Sequence, residues 1–313
     1  MEISVIIPAL NEELLLPDLL EDLQNQSFKD FEVIIADAGS SDKTREIAQE
    51  YGAKIVQGGL PAVGRNNGAR VARGAFLFFL DADIRIPAAF LECAHAEIQS
   101  RYLDLATCEM VPLSDQPMDM FLHDFTNLAI KLGQFTDPHA PGFCILISHR
   151  LFKRINGFDE TLKLAEDHDL VQRASQFRPL RVLTSTQVNV SVRRLEKEGR
   201  ARLVSKYLAV ELHRIFLGKI RTDIIQYEFG SFSPQRQHQL AAQVDQSRKL
   251  IQRITGEYSN LLNLSGPLSS IPIEKLAGIQ EQFDKLKELI GSVLTLSSSQ
   301  RNSAEYSADE QND

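Results

Sequence analysis

The sequence predicts an α/β protein: a parallel sheet under crossover helices, then a mixed α+β half and a helical extension. Three observations carry this. Over the first 110 residues short apolar runs alternate with amphipathic stretches, the order that lays parallel strands beneath crossover helices. Two runs, Val33 to Ala36 and Phe76 to Leu80, are apolar at consecutive positions and so read as strands covered on both faces at the centre of the sheet. From about Ser231 the composition shifts to Gln, Ser, Lys and Glu with no strand-like run.

In chain order, Ile3 to Ile7, Phe31 to Ala36, Lys54 to Gln57, Phe76 to Leu80 and Leu105 to Met110 read as strands. Between them, Glu12 to Gln26 sets Leu15, Leu19 and Leu23 on one helical face, and Lys43 to Tyr51 does the same with Ile47 and Tyr51. A helix over Asp119 to Leu132, a turn at Asp137 to Gly142, a buried strand Phe143 to Ile147 and a helix His149 to Ile155 follow. A further helix opens at Glu166 and buries Leu170, Ala174 and Phe177. Beyond the sheet, Leu240 to Leu261 and Leu276 to Val293 carry two apolar stripes at helical spacing, broken by Gly266 and Pro267. The expected domains are a catalytic region 1–220, a helical region 221–296 and a disordered tail 297–313.

Length and charge limit the function. At 313 residues the chain exceeds the usual single domain, and its 43% hydrophobic and 24% charged residues describe a folded, soluble protein. A net charge of −8 argues against a nucleic-acid binder, which needs a basic face for backbone phosphates. No signal peptide and no membrane-length apolar run are read, and Cys93, Cys108 and Cys144 look like buried thiols, so the expected location is cytoplasmic. The helix over Arg200 to Leu217, basic and apolar by turns, is a candidate for peripheral contact with the membrane's inner face; the stripes are candidates for homo-oligomer contacts.

The residues that carry chemistry stand where strands end, the place where ligands bind in open α/β sheets. Asp81-Ala-Asp sets two carboxylates one residue apart after Phe76 to Leu80, hard oxygen donors suited to Mg2+ or Mn2+. Asp37 opens the turn Asp37-Ala-Gly-Ser-Ser-Asp; its carboxylate can accept from a base N–H, while Gly39 permits the bend and Ser41 or Asp42 caps the next helix. Pro8-Ala-Leu-Asn-Glu-Glu ends the first strand with Asn11 as a helix cap. Gly64-Arg-Asn-Asn-Gly-Ala-Arg offers glycines for close approach to a ligand and Arg65 for a phosphate; Arg193, paired with Arg194, can close over a diphosphate. Plain turns, caps and solvated arginines account equally for several of these.

Together these blocks resemble the family 2 glycosyltransferases of the inverting, non-processive type. The resemblance lies in Ile3-Ser-Val-Ile-Ile-Pro-Ala-Leu-Asn-Glu-Glu, Val33-Ile-Ile-Ala-Asp-Ala-Gly-Ser-Ser-Asp, Gly64-Arg-Asn-Asn-Gly-Ala-Arg, Phe78-Phe-Leu-Asp-Ala-Asp, Asn156-Gly-Phe-Asp-Glu and Ala165-Glu-Asp-His-Asp-Leu, in the family's order over roughly residues 2 to 195. It implies the A-type glycosyltransferase fold, a Rossmann-like sheet fused to an acceptor-binding half. It further implies that Pro8, Ala9, Glu12 and Asp37 line base and ribose, and that Asp81 and Asp83 serve ribose, metal and diphosphate, with Asp83 the direct ligand. Pro138-His-Ala-Pro-Gly-Phe would face the acceptor, Asp167 would be the general base, Glu166 would orient acceptor or sugar, and His168 is a possible supporting ligand.

Ala38 stands where the family often has a second acidic residue, and there is no tryptophan for the Gln-x-x-Arg-Trp motif of the processive polymerases. The implied reaction is a single transfer from a nucleotide-sugar donor, a UDP-sugar ahead of a GDP-sugar, to a glycan, lipid-linked or small-molecule acceptor. The alternatives are a nucleotidyltransferase, or a catalytically silent scaffold acting through its C-terminal helices.

Overall fold

The computed structural model describes residues 1–135, 137–162 and 165–193. Both C-terminal stripes, Arg194, the 200–217 stretch and the tail lie outside the described residues, as do the boundaries expected at 220 and 296. Of the described residues, Met1–Leu113 and Ala129–Ser191 belong to one compact unit, and Ser114–Leu128, Val192 and Arg193 to a second.

The first unit is built on a mixed eight-stranded sheet of order β3-β2-β1-β4-β7-β6-β8-β5. β1 (Ile3–Ala9), β2 (Phe31–Asp37), β3 (Lys54–Gln57) and β4 (Phe76–Leu80) run parallel, joined by α1 (Leu16–Gln24), α2 (Thr44–Glu50) and α3 (Pro61–Val71). β5 (Ile84–Arg85), α4 (Phe90–Ser100) and β6 (Leu105–Pro112) follow, then α5 (Pro117–Gly133), β7 (Cys144–Ser148), α6 (His149–Arg154), α7 (Glu166–Ser175) and β8 (Arg181–Val190). β7 is antiparallel to both β4 and β6, and β8 is parallel to β6.

Period-2 alternation divides the core between the two sheet faces. Phe78 and Leu80 of β4 pack with Leu16, Leu19 and Leu23 of α1 and Phe90 and Ala94 of α4. Leu77 and Phe79 pack on the other face with Phe152 of α6 and Leu170 and Ala174 of α7. Burial on both faces is what makes β4 apolar at every position, and it occupies the sheet's centre as expected. β2 does not: it stands one strand in from the edge, and only its second half is fully buried, under α3 and the loops.

Other expectations are corrected in detail. α1 begins at Leu16 rather than Glu12, because residues 12–15 form a turn in which the Leu15 and Leu16 amides donate to the Glu12 carbonyl. Asn11 is therefore not its cap. The Gly64–Arg70 block lies inside α3, and its Gly68 does not open space for a ligand: a Cβ there would stand 2.4 Å from Ile6 Cγ2, so this glycine serves close helix–strand packing. Phe177, expected in the core, is exposed beyond the end of α7. Neither α4 nor β8 was among the expected elements: α4 could have been read from Phe90, Ala94 and Ile98 at spacing four, but β8 could not, since its centre, Thr184 to Gln187, is polar and carries an irregularity opposite Cys108 and Glu109 that breaks the period.

Cys108 and Cys144 are free, buried thiols, whereas Cys93 is only partly buried. In the second unit Ser114 Oγ donates to Asp119 Oδ2 at 2.7 Å near the start of α5, and Val192 packs with Leu122.

Candidate active site

The carboxyl ends of β1, β2 and β4 deliver the expected loops, and the register sets Pro8 beside Ala36 and Ala9 beside Asp37. Asn11 adopts φ 55°, a left-handed conformation asparagine tolerates. Its Oδ1 accepts from the Ser41 amide at 2.9 Å and its own amide donates to Ser40 Oγ at 3.0 Å. The Glu12 amide donates to Thr44 Oγ1 (2.8 Å) and the Glu13 amide to Asp42 Oδ2 (3.1 Å). These bonds weld the β1 and β2 loops into one shelf. Asp42 also accepts from the amide of Thr44, the first residue of α2, at 3.0 Å.

Asp37, buried at the shelf's root, accepts from the Gly39 and Ser40 amides through Oδ1, each at 3.2 Å, and pairs with the more exposed Arg45 at 3.5 Å. Gly39 at φ 94° makes that turn possible. The carboxylate is thus fixed by its own loop, with oxygen lone pairs left for a ligand N–H.

At the end of β4, Ala82 drops into the core, leaving Asp81 and Asp83 to either side of it. Asp83 is anchored by its carbonyl, which accepts from the Ser191 amide at 3.2 Å as β5 begins. Asp81, 35% exposed, accepts from Arg65 Nη2 at 2.9 Å.

Arg65 is the residue whose place the sequence did not suggest. Expected at a phosphate, its side chain is only 4% exposed; it donates to Asp81, to Glu166 Oε1 at 2.8 Å and to the Gly142 carbonyl at 3.1 Å. One guanidinium therefore joins three stretches far apart in the chain: the end of β4, the loop before β7 and the start of α7. Desolvation would lower its pKa, but Asp81, Glu166 and Asp167 outweigh that and raise it, so it stays charged. Gly142 fits beside it for want of a side chain, since a Cβ would stand 2.8 Å from Arg65 Nη2 and 3.2 Å from Asp167 Oδ2.

Glu166 and Asp167 open α7, where the helix dipole favours acids. The residue before them, Ala165, holds φ 59°, an uncommon left-handed turn for a non-glycine that swings the chain into the helix. Burial, then the neighbouring Asp167, raises the Glu166 carboxyl above its ordinary range, with Arg65 opposing. Asp167 Oδ1 accepts from the His168 amide at 2.8 Å. The His168 ring lies 5.2 Å from that of His139, which belongs to the expected acceptor-facing loop. Asp169 is structural: it pairs at 2.7 Å with Arg173, which donates to the Ile155 and Gly157 carbonyls.

Asn66 was missed as a support. Its side chain donates to the Phe158 carbonyl and accepts from the Phe158 amide, each at 3.0 Å, pinning Asn156-Gly157-Phe158 where Asn156 and Gly157 are both left-handed. Arg65 Cζ lies 5.6 Å from the centre of the Phe158 ring. Arg193 belongs to the second unit.

The donor set fits a divalent ion. Three carboxylates, Asp81, Glu166 and Asp167, are gathered from two stretches around one guanidinium, an excess of negative charge, with Asp83 two residues on from Asp81, and carboxylate oxygens are the ligands Mg2+ and Mn2+ prefer. Among the described residues no three or more His, Cys, Asp or Glu side chains form a ready metal cage. Such an ion would share its shell with water and substrate phosphates.

A Rossmann-like parallel half continued through antiparallel β7 into a mixed half, with paired acids at the end of the central strand, defines the A-type glycosyltransferase fold. Solved structures agree: TarS of S. aureus in complex with UDP-GlcNAc superposes with a TM-score of 0.52 at 22% identity, covering 97% of this chain and 92% of that one. The mannosyltransferase PcManGT from Pyrobaculum calidifontis, in complex with GDP-Man and Mn2+, gives 0.53 at 16% identity, covering 95% and 86%. Residues 4–155 match the family model for glycosyl transferase family 2, and this segment belongs to that family. Among curated relatives, the uncharacterized glycosyltransferase EpsJ of Bacillus subtilis is 27% identical over 184 residues, 53% of each chain. The poly(ribitol-phosphate) beta-N-acetylglucosaminyltransferase TarS of Staphylococcus aureus is 32% identical over 190 residues, 56% of this chain and 32% of that one. The matched region thus spans about half the length of the first relative and a third of the second. Among the described residues no helix is long and apolar enough to cross a membrane.

Proposed function

We propose that the protein transfers a sugar from a nucleotide-diphospho-sugar, a UDP-sugar in the first instance, to an acceptor hydroxyl with inversion at the anomeric carbon. The observation that carries this is the Arg65 bridge, which joins Asp81 at the end of β4 to Glu166 at the start of α7. Pro8, Ala9, Glu12 and Asp37 form the shelf for base and ribose, with Asp37 accepting from the base. Asp83, with Asp81, would hold Mg2+ or Mn2+, which supplies positive charge against the diphosphate of donor and leaving group. Without that charge a diphosphate would be repelled by the same carboxylates.

Glu166 is engaged by Arg65, leaving Asp167 as the general base. Asp167 takes the proton from the acceptor hydroxyl as its oxygen bonds to the anomeric carbon; the bond to the diphosphate breaks on the opposite face, and the nucleoside diphosphate leaves with the electron pair. Glu166 orients the acceptor or the sugar. The acceptor is a glycan, a lipid-linked sugar or a small molecule; reaction at the inner face of the membrane and homo-oligomerisation belong to the same reading.

Incubation with a panel of nucleotide-sugars, with Mn2+ or with EDTA, tests this through the products released. Free nucleoside diphosphate that depends on both metal and acceptor is expected. Pyrophosphate would mark a nucleotidyltransferase instead, and no turnover of any donor would mark a silent scaffold.

A further inference from the structure

The proposed chemistry uses the carboxyl ends of β1, β2 and β4, and the opposite end of the sheet carries a feature of its own. Because β7 runs antiparallel to β4, pairing Ser148 with Phe76, α6 emerges beside the start of β4. α6 buries Leu151 and Phe152 and turns Arg150, Lys153 and Arg154 outward. The turn from α7 to β8 adds exposed Phe177 and Arg178. One carboxylate ties these together: Asp104, itself buried, accepts from Arg150 Nε (2.9 Å) and Nη2 (3.0 Å) and from Arg178 Nε (2.9 Å), while those arginines remain 79% and 60% exposed. Arg154 Cζ lies 4.3 Å over the Phe177 ring. Two residues before Asp104, Tyr102 is 91% exposed.

Residues 149–156 and 176–181 contain no Asp or Glu, in a chain whose 42 acids outnumber its 34 Lys and Arg. Four outward cations thus face one buried carboxylate, with two exposed aromatic rings at hand. We propose that this face docks on an anionic phospholipid bilayer. Clustered cations are attracted to anionic headgroups, and aromatic side chains with an apolar body settle at headgroup depth. The arginines keep their charge toward the lipid because their carboxylate is shared and buried. A bilayer meets one face only, whereas a nucleic acid long enough to wrap around the protein would meet its acidic remainder. β4 interposes five residues, about 17 Å at ~3.3 Å each, so the donor loops stay in water while the protein is held at the surface. The proposal does not depend on the transferase reading.

Co-sedimentation of the full chain with phosphatidylcholine vesicles, with and without phosphatidylglycerol, tests it at low and high salt. Lys153→Glu with Arg154→Glu should weaken the phosphatidylglycerol-dependent binding by about tenfold or more. Tyr102→Ser with Phe177→Ser should weaken it several-fold, and neither pair should alter the melting temperature or donor turnover appreciably. Arg150 and Arg178 are left in place because Asp104 needs them. The proposal is overturned by equal binding of wild type and the charge pair, which would place the anchor elsewhere, for instance in residues 200–217. It is equally overturned by salt-insensitive binding to phosphatidylcholine alone, by no vesicle binding, or by capture of single-stranded RNA in preference to vesicles.

Discussion

Replacing Gly142 by alanine tests whether the Arg65 bridge sets the catalytic geometry. The added methyl would stand 2.8 Å from Arg65 Nη2 and 3.2 Å from Asp167 Oδ2, whereas comfortable contacts begin near 3.5 Å, so one group must move by about 0.7 Å. Arg65 has little room to yield, because Asp81 holds its Nη2, Glu166 holds its Nη1 and its side chain is 4% exposed. The movement therefore passes to the carboxylates. Overpacking of this kind costs about 1–3 kcal/mol, which for a unit of this size lowers the melting temperature by a few degrees to about 10 °C. A misplacement approaching 1 Å near the reacting groups costs on the order of 10² in rate. The assay is nucleoside diphosphate release at saturating donor, normalised to folded protein. Gly68→Ala is the control: its methyl would meet Ile6 Cγ2 at 2.4 Å, so it should lose comparable stability without loss of rate per folded molecule. Wild-type turnover in Gly142→Ala, or equal rate losses in the two variants, would refute the reasoning.

Asp167→Asn should keep donor affinity, since the donor shelf lies on other loops, and lose about 10²- to 10⁴-fold in rate; a loss of only a few-fold, or NMR showing a retained anomeric configuration, would count against the general base. Asp83→Ala should remove metal-dependent diphosphate binding in calorimetry while circular dichroism stays native, and undiminished binding in EDTA would sink the metal assignment. Glu166 contributes a pH dependence of known sign. Its folded carboxyl titrates above the ordinary 4.5, so the stability it contributes is full below that value and is lost as pH rises through the raised pKa. The melting temperature of wild type relative to Glu166→Gln should therefore fall as pH rises from about 4.5 toward neutrality, and a difference that stays constant across that range would contradict it.

Much of this protein was legible in its sequence because the signals are local. Burial on both faces leaves an unbroken apolar run such as Phe76 to Leu80, and a strand that ends in Asp81-Ala-Asp announces hard oxygen donors where loops gather. Glu166-Asp167 at a helix start was equally readable. The sequence could not tell that Arg65, Asp81, Gly142 and Glu166 meet, because their separations along the chain are fixed only when α3, β4, the loop before β7 and α7 pack together. Nor could it tell that Gly68 serves packing against Ile6 rather than a ligand, since a glycine reads the same whatever approaches it. Phe177 made the point in reverse: its spacing matched a buried helical face, but α7 ended first and left the ring outside under Arg154. Periodicity and residue chemistry are written along the chain, whereas the pairing of distant charges and the space beside a glycine exist only once the chain has packed.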